Sequence, residues 1–134
     1  MLPLPSRDDL ELDQFWAGTE LGEVRVQRCL ECDTFRWPPR PTCPSCVSLN
    51  TKWVTTQGEG KLFTWTIVAR TNLPDFIAET PYVVGVVELN DVPVRLIGQI
   101  LVENLEDVRV GLELKAEFRA HKDGVTLVCW RVSG

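Results

Sequence analysis

Apolar and polar residues alternate through the C-terminal half of the chain, which is the pattern of strands with one buried face. The first such segment, residues 62–70, places Phe63, Trp65, Ile67 and Ala69 on one predicted face and two threonines on the other. The same alternation recurs in four later segments, which are residues 82–89, 94–101, 112–119 and 125–132. The pattern therefore predicts a mainly β protein with five strands after residue 61.

A predicted helical turn interrupts this series between the third and fourth strands, at residues 103–108. Five short strands with this interruption match the OB-fold barrel, in which closure removes the exposed edges of an open sheet. A small β-sandwich is the alternative. We therefore assign residues 58–134 to a C-terminal five-stranded OB-fold, and the glycine-rich segment 58–60 is the predicted hinge before it.

The N-terminal pattern is helical instead. Leu12, Phe15 and Trp16 are spaced by three and one residues, which places them on one apolar stripe of a short helix. The predicted boundaries are a serine cap with two aspartates at the start and two glycines at the end, namely Ser6, Asp8, Asp9, Gly18 and Gly22. So short a helix is marginal alone. We therefore expect residues 1–22 to form an arm and a helix that docks either on its own domain or on a partner subunit.

Two Cys-x-x-Cys pairs lie between the helix and the barrel, and they supply Cys29, Cys32, Cys43 and Cys46. Four thiolates at this spacing suit a tetrahedral structural Zn²⁺ and leave no open position for catalysis. Iron bound as in rubredoxin is the main alternative, because it uses the same ligands. Residues 23–57 are therefore predicted to form a zinc ribbon, with strands on either side of the cysteines.

Composition and charge narrow the function. The chain has 134 residues, an ordinary globular composition and a formal net charge of -5, which disfavours general binding to nucleic-acid phosphates. No apolar run approaches the roughly 18 residues of a membrane span. Residues 1–7 lack the apolar run of a secretory signal, so we expect a reducing cytoplasm in which the ribbon cysteines stay unpaired.

Four short motifs follow one another in an informative order: Arg28-Cys29-x-x-Cys32, Pro38-Pro39-Arg40 before Cys43-Pro44-x-Cys46, Gly58-x-Gly60, and Pro81-Tyr82-x-x-x-x-Val87-Glu88-Leu89. Together they resemble the acyl-CoA-associated family that combines an N-terminal helix, a rubredoxin-like zinc ribbon and a C-terminal OB-fold. A glycine often follows the second cysteine of such a knuckle. Here the residue is Asp33, which also tolerates a left-handed backbone.

The resemblance implies a non-catalytic accessory subunit. Members of the family look like partners of thiolases, hydroxymethylglutaryl-CoA synthases and thiolase-fold aldolases, with which they form hetero-oligomers and help to bind the acyl-CoA substrate. Degradation of steroid side chains or of aromatic acyl-CoA esters fits this picture. The residue inventory agrees, because His121 is the only histidine and Cys129 lies among apolar strand residues, where we expect a buried thiol.

Bound CoA requires cations for its phosphates and a flat apolar surface for its adenine. The candidate contacts are three ribbon residues and two cations at the ends of the first barrel strand, namely Arg36, Trp37, Arg40, Lys61 and Arg70. The alternative for each is a solvated charge, or a ring packed within the ribbon.

Candidate contacts to a partner or to the acyl chain lie in the N-terminal helix and in the loop after the first barrel strand. They are Phe15, Trp16, Phe76 and Ile77. The loop could equally cap the end of the barrel.

Two other functional classes remain as alternatives. A nucleic-acid-binding module that joins a zinc ribbon to an OB-fold requires a basic face with exposed aromatic rings, and the barrel strands carry at least as many acids as bases. A rubredoxin-like electron carrier would bind iron and be coloured, but it has no evident use for the barrel. Iron content and visible absorbance separate the carrier from the zinc proteins.

Overall fold

The chain folds into a short helix, a three-stranded ribbon sheet and a closed five-stranded barrel. The computed structural model describes Pro5, residues 11–121 and residues 124–133, with the side chain of Asp75 left out. A 3-10 turn, Leu105–Asp107, lies between the third and fourth strands of the barrel. The helices and strands are α1 (Asp13–Glu20), β1 (Val24–Cys29), β2 (Phe35–Arg36), β3 (Thr51–Thr56), β4 (Glu59–Val68), α2 (Pro74–Ile77), β5 (Tyr82–Leu89), β6 (Arg95–Leu101), β7 (Glu113–Arg119) and β8 (Leu127–Val132).

The ribbon sheet has the order β2-β1-β3, with β1 antiparallel to both neighbours. Gln27 of β1 lies opposite Arg36 on one side and Trp53 on the other. The predicted strand at residues 47–56 begins only at Thr51, because the four residues before it complete the second cysteine knuckle. The strand pairing explains how two cysteine pairs distant in sequence reach the same end of the ribbon.

The barrel closes in the order β4-β5-β6-β8-β7, with β7 pairing back onto β4. All of these pairs are antiparallel except β6 and β8, which run parallel through Ile100 and Trp130. The prediction of a closed OB-fold barrel is confirmed, and the sandwich alternative is wrong. Residues of the predicted hinge belong to the barrel, since β4 begins at Glu59. Trp130 has no exposed surface and Leu62 and Leu114 are 1% exposed, so these side chains form the centre of the core.

The predicted apolar face of β4 is wrong because a β-bulge interrupts the strand. The register with β5 shifts between Leu62 and Thr64, so one extra residue enters β4 at this point. Leu62 is 1% exposed, whereas Phe63 is 45% and Ile67 is 43% exposed. The side chains therefore alternate between the inside and the outside of the barrel within each half of β4, but the alternation changes phase at the bulge.

Helix α1 packs its aromatic residues onto the chain's own ribbon. Phe15 and Trp16 are 5% and 8% exposed and belong to the same core as the barrel residues. Gly18 lies inside the helix rather than at its end. A side chain there would crowd Arg25 of β1, since a β-carbon would lie 2.7 Å from its Cδ atom. The chain turns at Gly22, whose φ is 77°. The predicted start at Ser6, Asp8 and Asp9 lies outside the described residues.

Within the described part of the chain, no helix combines the length and apolar character that crossing a membrane requires.

Candidate metal centre and cleft

The four ribbon cysteines converge on one point. Their sulfur atoms all lie within 4.8 Å of one another. The Sγ atoms of Cys29 and Cys46 are 3.5 Å apart, and those of Cys32 and Cys43 are 3.6 Å apart. Four sulfurs at about 2.3 Å from a tetrahedral Zn²⁺ would be separated by about 3.8 Å, so the arrangement fits the ion. A disulfide requires about 2.05 Å, and all four thiols are free.

The two knuckles repeat the same backbone geometry. The amide of Asp33 donates to the carbonyl oxygen of Cys29 at 3.1 Å, and the amide of Val47 donates to that of Cys43 at 3.0 Å. Both donors have a left-handed backbone, with φ of 63° at Asp33 and 65° at Val47. The aspartate tolerates this conformation as predicted, whereas the β-branched valine is an unusual residue for it.

The surroundings favour thiolate at three of the four sulfurs. The backbone amide of Cys32 lowers the pKa of Cys29, the hydroxyl of Thr34 lowers the pKa of Cys32, and the backbone amide of Cys46 lowers the pKa of Cys43. The amide of Ser48 also lowers the pKa of Cys46, but the neighbouring Cys32 and Cys29 outweigh it and raise that pKa to about 12. Four thiolates at this separation therefore require a cation among them.

A cleft of about 560 Å³ lies where the ribbon meets the β5–β6 end of the barrel. Its walls come from β2 and the following loop of the ribbon, and from β5, β6 and their connection in the barrel. The lining side chains include three arginines and one glutamate, so the cleft is cationic although the whole chain carries a net charge of -5. The lining residues are Phe35, Arg36, Trp37, Arg40, Pro44, Glu88, Pro93, Val94 and Arg95.

Arg36 is the buried cation of this cleft, at 5% exposure. Its Nη2 donates to the carbonyl oxygen of Arg40 at 2.8 Å and to the hydroxyl of Thr51. Its Nη1 is buried and has no hydrogen-bond partner within the described part of the chain. The charge of Arg36 adds to that of Arg40 and Arg95 in the cleft lining, so the site favours an anionic ligand.

The barrel wall of the cleft holds Arg95, which is not among the predicted CoA contacts. Arg95 lies over the ring of Phe63, 3.8 Å from its centroid, and donates from Nε to Glu88 at 3.0 Å. On the ribbon side, the ring of Trp37 packs against that of Phe15 with centroids 4.6 Å apart. Only the pairing of two distant segments brings Arg95 to the ribbon, so no local motif marks it.

The structure therefore brings together three of the five predicted CoA contacts, namely Arg36, Trp37 and Arg40. Lys61 does not line the cleft but lies opposite the lining residue Glu88 in the β4–β5 register. Arg70 follows the far end of β4, roughly 30 Å from the start of that strand at ordinary strand rise. One ligand in the cleft would not reach Arg70.

The four predicted partner or acyl contacts divide into two groups. Phe15 and Trp16 pack inside the chain's own core and expose little surface to a partner. Of the two predicted modes of docking for this helix, the structure therefore shows docking on its own domain. Phe76 and Ile77 belong to the short helix α2, where Phe76 lies 6.1 Å from the ring of Tyr82 and Ile77 is 55% exposed. The loop therefore covers the end of β5 and still presents apolar surface.

The two groups considered for nucleophilic chemistry lie in a strand, for Cys129, and in a turn, for His121. Cys129 is 5% exposed, and its burial raises the pKa of the thiol, so it is a poor nucleophile. His121 accepts a backbone hydrogen bond from the amide of Gly124 at 3.3 Å, as a turn residue does. The predicted turn residues 122 and 123 lie outside the described residues.

These features define a class of protein that joins a structural zinc ribbon to an OB-fold barrel. A family profile described as "ChsH2, rubredoxin-like zinc ribbon domain" matches residues 16–50. A second profile, "ChsH2, C-terminal OB-fold domain", matches residues 53–119. The chain belongs to the ChsH2 family, which is also described as DUF35. Its resident metal is therefore a structural zinc, as the four cysteines predict.

Two curated relatives carry different names. A "DUF35 domain-containing scaffold protein" of Methanocaldococcus jannaschii is 34% identical over 97 residues, which cover 72% of this chain and 67% of that protein. A "Probable enoyl-CoA hydratase alpha subunit" of Thermomonospora curvata is 30% identical over 118 residues, or 87% of this chain. The chain matches only 36% of the length of that subunit.

Solved structures confirm the arrangement of ribbon and barrel. A chain of the structure described as "Ltp2-ChsH2(DUF35) aldolase" superposes with a TM-score of 0.85 at 25% identity, covering 96% of this chain and 98% of that one. A DUF35-family protein of unknown function from Sulfolobus solfataricus superposes with a TM-score of 0.65 at 17% identity, which shows the fold alone.

Proposed function

We propose that the chain is a non-catalytic scaffold subunit that binds a thiolase-fold enzyme and holds the CoA portion of its acyl-CoA substrate. The cleft between ribbon and barrel is the observation that carries this proposal, because it collects three arginines and a tryptophan in an acidic protein. The enzyme supplies the reacting groups, and the zinc keeps the ribbon wall of the cleft in place.

The chemistry of the cleft suits a nucleotide with several phosphates. Arg36 lines the cleft as a buried cation, and the more exposed Arg40 and Arg95 flank it. Arginine is the side chain best matched to phosphate oxygens, since its donors form two parallel hydrogen bonds. Trp37 provides a flat apolar ring at the same wall for the adenine.

The relatives support both parts of the proposal. Three of them are named scaffold proteins, and the superposed structure is described as "Ltp2-ChsH2(DUF35) aldolase". The hydratase subunit is named for an enoyl-CoA reaction. By analogy, we propose that this chain forms a hetero-oligomer with an aldolase or a related thiolase-fold enzyme. We also propose that the complex acts in the cytoplasm, in a pathway that degrades steroid side-chain or aromatic acyl-CoA esters.

Co-expression with a thiolase-like protein from the same organism tests the scaffold role. We expect the two proteins to copurify, and acyl-CoA turnover to appear only when both are present. A chain that stays alone, binds no CoA and leaves turnover unchanged would refute the proposal. Binding of single-stranded oligonucleotides in that case would support the alternative of a nucleic-acid module.

Calorimetry with coenzyme A tests the cleft separately. We expect Arg40→Ala in the purified complex to weaken coenzyme A binding by about tenfold to a hundredfold, since a hydrogen bond to a charged group contributes roughly 1.5–3 kcal/mol. Arg70→Ala is the matched control, because it removes an exposed arginine outside the cleft. Equal affinities of the two variants, with zinc content unchanged, would contradict the cleft assignment.

A further inference from the structure

The outward sides of the barrel strands differ sharply in charge. On β7, the four outward side chains are all charged, namely Glu113, Lys115, Glu117 and Arg119. On β4, β5 and β6, beyond the bulge, no outward side chain described by the structure is charged. We call this second surface the uncharged face, and its residues are Thr64, Thr66, Val68, Tyr82, Val84, Val86, Ile97 and Gln99.

Register and burial define this face. Val86 pairs with Thr64 on one side and Ile97 on the other, so the three side chains form one outward row. Ile97 is 70% exposed, and Val86 is half-buried. A shallow depression of about 260 Å³ lies beside the row, between the outward valines of β5. Contiguous exposed apolar surface of this kind, without charge, is typical of the centre of an interface.

The uncharged face is continuous with the cleft. The bulge directs Phe63 outward next to Thr64, and the guanidinium of Arg95 lies over its ring at 3.8 Å. Arg95 also lines the cleft. A protein that covers the uncharged face would therefore reach the mouth of the cleft.

This continuity indicates which protein covers the uncharged face. If the cleft holds the CoA portion of a substrate, the acyl thioester must extend from the cleft to the catalytic groups of the enzyme. The enzyme must then lie beside the cleft, and the uncharged face is the apolar surface in that position. A second copy of this chain has no such requirement.

We infer that the thiolase-fold enzyme docks on the uncharged face, centred on Ile97 and Val86, and thereby closes the open side of the cleft. This inference rests on the proposed function and adds the surface through which it operates.

Ile97→Glu in the full chain tests the inference. We expect this variant to weaken binding to the purified thiolase-like protein by at least about thirtyfold, the loss typical of a central interface residue. Ile97→Lys should weaken binding as strongly, because either charge would be buried. Val110→Glu is the matched control, since Val110 is 67% exposed in the turn before β7 and lies outside the face. It should bind like the wild type.

Thermal unfolding and zinc content verify that each variant is folded, as the 70% exposure of Ile97 leads us to expect. Wild-type binding that both Ile97 variants retain would overturn the inference and leave the proposed function standing. A wild-type chain that does not bind the enzyme would overturn both. A dimer of the chain alone, dissociated by Ile97→Glu, would assign the face to a second copy and overturn the inference.

Discussion

Val47→Gly should stabilise the zinc ribbon. Val47 has a φ of 65° and a side chain that is 73% exposed. A left-handed conformation costs an L-residue roughly 1–2 kcal/mol, and glycine does not pay this cost. Glycine also has greater conformational freedom in the unfolded chain, which offsets about 0.4–1 kcal/mol of this stabilisation. Because the exposed valine buries little surface, we expect a net gain of about 1 kcal/mol, or about 3 °C in melting temperature.

Thermal unfolding of the zinc-loaded protein measures this gain, and competition with a chelator measures zinc retention. Two variants serve as controls. Val47→Ala keeps the β-carbon that crowds the backbone, so it should recover only a small part of the stability. Asp33→Gly changes the equivalent position of the first knuckle, where φ is 63°. Its gain should be smaller, because aspartate tolerates this conformation and pairs with Arg28 at 3.4 Å.

A Val47→Gly protein that melts at or below the wild-type temperature would refute the reasoning. Equal gains for Val47→Ala and Val47→Gly would also refute it, since the effect would then come from the loss of the branched side chain rather than from backbone strain. Either result would mean that the valine side chain makes contacts that outweigh the cost of its conformation.

Two further predictions concern the metal and an ion pair. Cys43→Ser should abolish stoichiometric zinc binding and lower the melting temperature, because three thiolates no longer close the coordination shell. Elemental analysis measures the zinc content, and full zinc occupancy of this variant would contradict the site. Hydrogen bonds from Arg131 hold the pKa of Glu117 below its ordinary value of 4.5. The pair therefore stabilises the fold above about pH 4.5, and this stabilisation is lost as the pH falls through the pKa of Glu117 in the folded protein. Glu117→Gln and Arg131→Gln should both flatten the acid-unfolding curve in that range, and curves parallel to the wild type would contradict the assignment.

The metal centre and the barrel could be predicted because their signals are local. Four cysteines in two tight pairs specify their own geometry, and the structure places their sulfurs within 4.8 Å of one another. Alternation over five segments indicates strands, and closure follows from the need to cover sheet edges. Neither inference requires knowing which distant segments meet.

Only the ribbon wall of the cleft could be predicted from the sequence, because the two walls are far apart along the chain. Arg36, Trp37 and Arg40 stood out beside the cysteine motif, whereas Arg95 belongs to an ordinary alternating strand. Arg70 looked equivalent to Lys61 as a cation at a strand end, but strand length separates it from the ribbon. Identifying the cations that line the cleft required the pairing of β5 with β6 and the approach of their connection to the ribbon.

The β-bulge in β4 links these observations to function. Without it, an unbroken period of two would place Phe63 on the same side of β4 as Trp65. The extra residue instead places Phe63 outward, under Arg95, at the boundary between the cleft and the uncharged face. One irregularity therefore joins a candidate ligand site to a candidate protein interface, because the bulge redirects a side chain, as bulges next to functional sites commonly do.

The same junction allows the two proposed roles to be separated by experiment. Arg40 lines the cleft on the ribbon side and does not belong to the uncharged face, whereas Ile97 belongs to that face and does not line the cleft. Arg40→Ala should therefore lower the affinity of the complex for coenzyme A while leaving assembly intact, and Ile97→Glu should weaken assembly while leaving the cleft residues unchanged. If both variants lost both properties to the same extent, ligand and enzyme would share a single site, and the division between cleft and face would be wrong.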